Sequence, residues 1–168
     1  MTYSYADFNL FRGLVVFNLN TQFYCADLDE VFAIVNPVDL SPAATNSILN
    51  NHKLSIERLS LPVIDLHALF TLKFEKLTEQ SRFLCMEKMG QSFSFAVDRI
   101  EEIALLDDKT RLDYKFSEYR KGRYLSGKVK HNKNVYYLPN FKNIINDLFS
   151  DQQIRKEGLM NLKSEHPP

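Results

Sequence analysis

Nucleophilic or metal chemistry in this chain would have to come from Cys25 and Cys85, from His52, His67, His131 and His166, and from carboxylates such as Asp65, Asp98, Glu101 and Glu102. A reactive thiol needs a base within hydrogen-bond reach, and neither cysteine has a histidine near it in sequence. Asp65 and His67 could both meet a metal, but two ligands without a third or fourth make a poor site. The chain has no Gly-rich phosphate loop, no His-Glu-x-x-His and no Cys-x-x-Cys. Asp98 stands beside Arg99, Glu101 and Glu102, yet an Asp at a strand corner commonly bonds nearby backbone N–H groups. Asp65 reads in the same way as the cap of a short helix. No catalytic residue, metal or cofactor is expected, and the chain reads as a binding protein, not an enzyme.

The charge is uneven although it sums to zero over 168 residues. Between Lys109 and Lys133 nine Lys and Arg face two acids, a balance of +7, so the other residues carry −7. Tyr114, Phe116, Tyr119 and Tyr124 interleave with these bases. Small β-barrels bind single-stranded nucleic acid through such a mixture, so segment 109–133 supports an alternative nucleic-acid-binding reading. An ordinary solvated face, or a contact to an acidic partner, is the competing explanation. Neutral net charge argues against nucleic acid, and none is expected as a partner.

The elements that must hold these residues are mostly strands. Leu14–Phe17 and Phe23–Ala26 flank a polar corner and predict a hairpin, followed by a strand at Val31–Val35 that ends at Asn36-Pro37. Residues 38–53 read as a connection, Leu59–Ile64 as a strand, and 73–81 as a loop. A second hairpin follows at Phe83–Met86 and Phe93–Val97, then an apolar stretch at Ile100–Leu106. Residues 109–123 read as an exposed loop, with strands at Tyr124–Val129 and Val135–Leu138. Phe141, Ile144, Ile145, Leu148 and Phe149 recur at helical spacing behind Asn140, a candidate cap. Residues 151–168 read as a frayed tail. No apolar run reaches the roughly 20 residues of a membrane span, the start lacks the pattern of a secretory signal, and two apolar-flanked thiols suit a reducing compartment. The expectation is a cytoplasmic protein without direct membrane insertion.

Four segments in order resemble the CheW family of chemotaxis coupling proteins. Leu61-Pro62-Val63-Ile64-Asp65-Leu66 is similar to its Pro-Val-Ile-Asp-Leu segment. Phe95-Ala96-Val97-Asp98-Arg99-Ile100-Glu101-Glu102-Ile103 is similar to its strand into Val-Asp and an acidic-apolar pair. Tyr124-Leu125-Ser126-Gly127 resembles its Leu-x-Gly strand, and Phe23–Ile34 has the spacing of its opening hairpin. The resemblance implies a mainly β, CheW-like fold: two five-stranded β-barrel subdomains sharing a core, with a short middle helix and a C-terminal helix. It implies one domain over 12–150, with subdomains near 12–36 plus 135–150 and 59–134. It also implies a non-catalytic adaptor between the cytoplasmic tips of methyl-accepting chemoreceptors and a CheA-type histidine kinase, recruited to membrane-associated arrays.

On the receptor side Val31, Ile34 and Val35 could line a groove for a receptor helix, with Arg58 as a further contact. Val97, Asp98 and Ile100 are the kinase-side candidates, Val97 and Ile100 carried over by motif position. Plain barrel core is the competing reading for the β-branched residues. The pattern departs where the family has Asn-Leu-Arg-Gly and this chain has Ser55-Ile56-Glu57-Arg58, so Arg58 would supply the charge one position late. Ala33 replaces an acidic residue, and Leu138-Pro139-Asn140 replaces a late Leu-Asp. With no Gly between Gly13 and Gly90, a turn needing positive φ would fall to Asn50 or Asn51.

Overall fold

The computed structural model describes residues 4–37, 53–73, 76–119 and 121–149. It opens with a short helix α1 (Tyr5–Asn9) that the apolar pattern did not announce. Its start is marked by a capping box, in which Ser4 Oγ accepts from the Asp7 amide and the Asp7 carboxylate accepts from the Ser4 amide. The strands follow as β1 (Gly13–Leu19), β2 (Gln22–Asp27), β3 (Val31–Val35), β4 (Lys53–Ile56), β5 (Leu59–Ile64), β6 (Arg82–Lys88), β7 (Gln91–Val97), β8 (Arg99–Leu105), β9 (Tyr114–Glu118), β10 (Leu125–His131) and β11 (Asn134–Pro139). Between β5 and β6 lies α2 (Leu66–Leu69), and α3 spans 141–149. Single 3-10 turns occupy Leu28–Glu30 and Thr110–Asp113.

These strands make a six-stranded sheet in the order β8-β1-β2-β11-β10-β9 and a five-stranded sheet in the order β3-β6-β7-β5-β4. The mainly β fold with two sheets is therefore as expected, with one strand more than five in the first. The division between the halves is different. β3 pairs with β6 in the second sheet, whereas β8, β9 and β10 belong to the first, so each sheet takes strands from both halves of the chain. Strand partners are chosen by long-range packing, which adjacency in sequence does not reveal.

Three cores follow from strand alternation. Leu14, Val16, Cys25, Ala104, Tyr114, Val129, Tyr136 and Leu138 fill the inside of the six-stranded sheet, capped by Phe8 and Phe11. That sheet curls on itself, since Tyr114 at one edge donates from its hydroxyl to Glu102 on the other edge strand at 3.3 Å. Leu54, Leu61, Phe83, Cys85 and Ala96 fill the inside of the five-stranded sheet, with Ala33 and Val35 of β3 and Ile56 of β4 packed against them. Between the sheets lies a shared core of Val15, Phe17, Leu19, Tyr24, Ile64, Leu84, Met86, Phe93, Phe95 and Val97, closed by Phe141, Ile144 and Ile145 of α3.

The caps fall where the sequence put them. Asp65 Oδ1 accepts from the Ala68 amide, and Asn140 Oδ1 accepts from the Asn143 amide. The region 109–123 is not a free loop: β9 lies within it, and Arg111 donates to the carbonyls of Phe8, Phe11 and Leu106. Asn50 and Asn51 lie outside the described residues, and the backbone with positive φ in this region is at Glu57, φ 50°, in the two-residue β4–β5 turn. Among the described residues no helix is long and apolar enough to cross a membrane.

Gly127 shows what the Leu-x-Gly strand requires. A Cβ there would lie 2.4 Å from the Phe116 ring, and that ring is stacked on Phe8 at 5.2 Å. Gly127→Ala is expected to lower stability by about 1–3 kcal/mol, the usual cost of overpacking, read as a lower denaturant midpoint at unchanged slope.

Candidate interaction surfaces

The thiols are sealed and inert. Cys25 and Cys85 are free and buried, and burial pushes both thiols up, Cys85 to about 11, so both are protonated at neutral pH. Among the described residues no group of three or more His, Cys, Asp or Glu could hold a metal. His67 Nε2 and Asp98 Oδ1 form an acid–base pair at 3.0 Å, and His67 is only 2% exposed. An imidazole so enclosed has no access to a substrate, and the pair instead fastens elements together.

Asp98 is the corner at which β7 of one sheet passes into β8 of the other. Its Oδ2 accepts from the Asn20 amide in the β1–β2 turn, its own amide donates to the Asn18 carbonyl, and its Oδ1 meets His67 of α2. Burial opposes ionisation of Asp98, but the His67 and Asn20 hydrogen bonds outweigh it and hold the carboxyl below its ordinary range. In place of a local cap on its own corner, the carboxylate ties that corner to the Asn20 amide 78 residues away and to His67, and neither partnership was legible.

The kinase-side candidates separate accordingly. Val97 is 1% exposed in the shared core, so it offers no surface to a partner. Strand period explains this, because Val97 continues the inward parity of Phe93 and Phe95. Asp98 is engaged as described. Ile100 is half-buried against the shared core, and Arg99 is exposed. Asp98 is part-exposed with both carboxylate oxygens already bonded, so Arg99 and Ile100 are the parts of the corner without such ties to α2 and the β1–β2 turn.

The receptor-side candidates separate too. Val31 packs against the shared core, whereas Ile34 is 38% exposed, and the β3–β6 register shifts between Val31 and Ala33. Phe32, 45% exposed, shares the outward parity of Ile34, as the alternation along Val31–Val35 signals. The outward pair is held by what precedes it. Asp27 caps the Leu28–Glu30 turn, Lys88 bonds Glu30 at 2.7 Å, and Leu28 packs where a Cβ on Gly13 would be 2.6 Å away. Arg58 is exposed in the β4–β5 turn, beside Leu59, which is 54% exposed. Across from Gly13, Leu105 is 72% exposed, with Ile103 at 53% two residues earlier on the same face.

The aromatic residues of segment 109–133 are not a stacking platform. Tyr114 stacks on His131 at 3.9 Å and Phe116 on Phe8, and Tyr119 lies tilted against Tyr137 at 5.5 Å. Tyr124 donates from its hydroxyl to Asp147, which Arg123 also grips through two nitrogens. These contacts engage the rings of the segment, while Lys115, Lys121, Arg123 and Lys130 stay exposed.

Residues 13–149 match the model of the CheW-like domain. No curated protein matches the chain. Among solved structures, the chain is similar to the crystal structure of the scaffolding protein TtCheW from Thermoanaerobacter tengcongensis, with a TM-score of 0.62 and 20% sequence identity. That similarity covers 78% of this chain and 90% of the other, and at this identity it speaks for a shared fold.

Proposed function

The chain belongs to the CheW-like family, and on that premise we propose that it is a non-catalytic scaffold joining methyl-accepting chemoreceptor tips to a CheA-type histidine kinase. The observation that carries this reading is the family match across 13–149, which takes in strands of both sheets and so the whole two-sheet body. The protein works in the cytoplasm at receptor arrays, in a chemotaxis or surface-motility pathway. Its mechanism is docking: no step needs a nucleophile, a metal or a cofactor.

Two surfaces divide the work. Phe32 and Ile34, with Arg58 at the β4–β5 turn, take the apolar face of a receptor helix in the helix-in-groove mode. The Arg99–Ile100 corner faces the kinase regulatory domain, with Asp98 holding it in place from behind. Val97 supports these surfaces from the shared core, and half-buried Val31 packs against that core beside Phe32.

The test uses the purified protein with a soluble receptor-tip fragment and the CheA-type kinase of the same cell, each titrated separately. Phe32→Ala combined with Ile34→Ala is expected to weaken the receptor fragment by about 10- to 30-fold and leave the kinase unaffected, the scale of two central apolar contacts. Ile100→Glu is expected to do the converse. Failure of the unmodified protein to bind either fragment would end the scaffold reading.

A further inference from the structure

We propose that the open face of β9 and β10 is a docking surface for an acidic protein partner, beyond the two contacts of the scaffold reading. Alternation sends Tyr114, Phe116 and Val129 into the interior of the six-stranded sheet. It leaves Lys115 and Ser117 of β9 and Lys128 and Lys130 of β10 on the opposite face. In the register Lys130 stands directly across from Lys115, and Lys128 across from Ser117. Val135 and Tyr137 of β11 continue this face next to Lys130 and Lys128. Further across the sheet the same face is closed, because Tyr24, Phe17 and Val15 lie in the shared core. The solvent-facing part is therefore a basic strip two strands wide.

Two features of the strip point to a partner. Like charges directly opposite on neighbouring strands destabilise a sheet, and among the described residues none of Lys115, Lys128 and Lys130 is in an ion pair. The free chain carries this repulsion, and carboxylates docked across the strip would relieve it. The partner is a protein surface and not a nucleic-acid strand, because Tyr114 and Phe116 are stacked inside the sheet and the strip's own rings, Tyr119 and Tyr137, pack on each other. Tyr119 lies against Tyr137 with Lys128 Nζ 5.4 Å from its centroid, and Phe116 and Tyr114 are stacked internally. The chain's zero net charge supplies no long-range pull on a polyanion, so attraction acts within about 8–10 Å of the strip.

The test is a fluorescence-anisotropy titration of the full chain with two probes. One is a labelled Glu/Ala helical peptide about 20 residues long, and the other a labelled oligo-dT of about 20 nucleotides, each at about 50 and about 200 mM salt. The peptide is expected to bind more tightly, and K115E/K130E to weaken it by at least about tenfold. That variant keeps a like-charge pair across the strands, so its stability stays matched to the wild type. K53E/K73E makes the same change of charge on exposed residues outside the six-stranded sheet and is expected to leave binding within about twofold. If the charge reversals fail to fold, Lys115→Ser with Lys130→Ser replaces them. Equal weakening by both pairs, or tighter binding of oligo-dT, overturns the proposal. So does a salt-sensitive dimer of the chain alone that K115E/K130E abolishes in sedimentation, since that assigns the strip to a second copy.

Discussion

Val97→Arg is expected to unfold the protein, with a loss of several kcal/mol that approaches the whole stability of a domain of this size. Val97 is 1% exposed and packs in the shared core with Leu84, Phe93 and Phe95, so a guanidinium there meets no water and no partner. The added length must also displace close-packed rings, a second cost of about 1–3 kcal/mol. Relief from a neighbour is absent, because the residue opposite Val97 on β6 is Arg82, a like charge. Far-UV circular dichroism and a denaturant titration decide the matter. Ile100→Glu is the necessary comparison, since that side chain is half-buried at the same corner and its carboxylate can turn to solvent. A Val97→Arg protein with the wild-type midpoint would place Val97 outside the core and restore it as a surface contact. Loss of kinase binding in Val97→Arg alone would therefore say nothing about the interface.

The distinction between Val97 and Ile100 shows where sequence reading stops. Phe93, Phe95 and Val97 announce one buried face by their alternation, and the same rule applied along Val31–Val35 would have paired Phe32 with Ile34 in place of Val31. β9 was hidden for a related reason: Tyr114 and Phe116 alternate with Lys115 and Ser117, but the density of basic residues around them suggested a solvated loop. β4 is only four residues long and follows a polar stretch, too little for a period to register. The Asp65 and Asn140 caps were readable because capping is local chemistry. The exchange of β3 and β8 between sheets was not, since nothing local to those strands names their partners. The pairing of His67 with Asp98 spans 31 residues and follows only once α2 and the β7–β8 corner are placed together.

That pairing sets the second large effect. Asp98→Ala is expected to cost about 2–3 kcal/mol at neutral pH, because it strands the His67 imidazole and the Asn20 amide without their acceptor. The figure stays below that for a fully buried pair because the Asp98 side chain is 34% exposed and water can partly replace it. The pH dependence separates a charge effect from mere truncation. The folded carboxyl lies below its ordinary value of 3.8, so its contribution is fully present above that value and fades as pH falls through the lower folded one. Asp98→Asn keeps the shape and one acceptor oxygen but not the charge. Its deficit relative to wild type should be largest near neutral pH and shrink on approach to about pH 3, read from denaturant midpoints at several pH values. An equal deficit at both ends of that range would show that the ionised carboxylate contributes nothing beyond its geometry. On the proposed function, the charge that fixes β8 to α2 and to the β1–β2 turn also fixes Arg99 and Ile100, the proposed kinase-side corner. Asp98→Asn should then weaken the kinase through altered placement of Ile100, without either oxygen of residue 98 touching the partner.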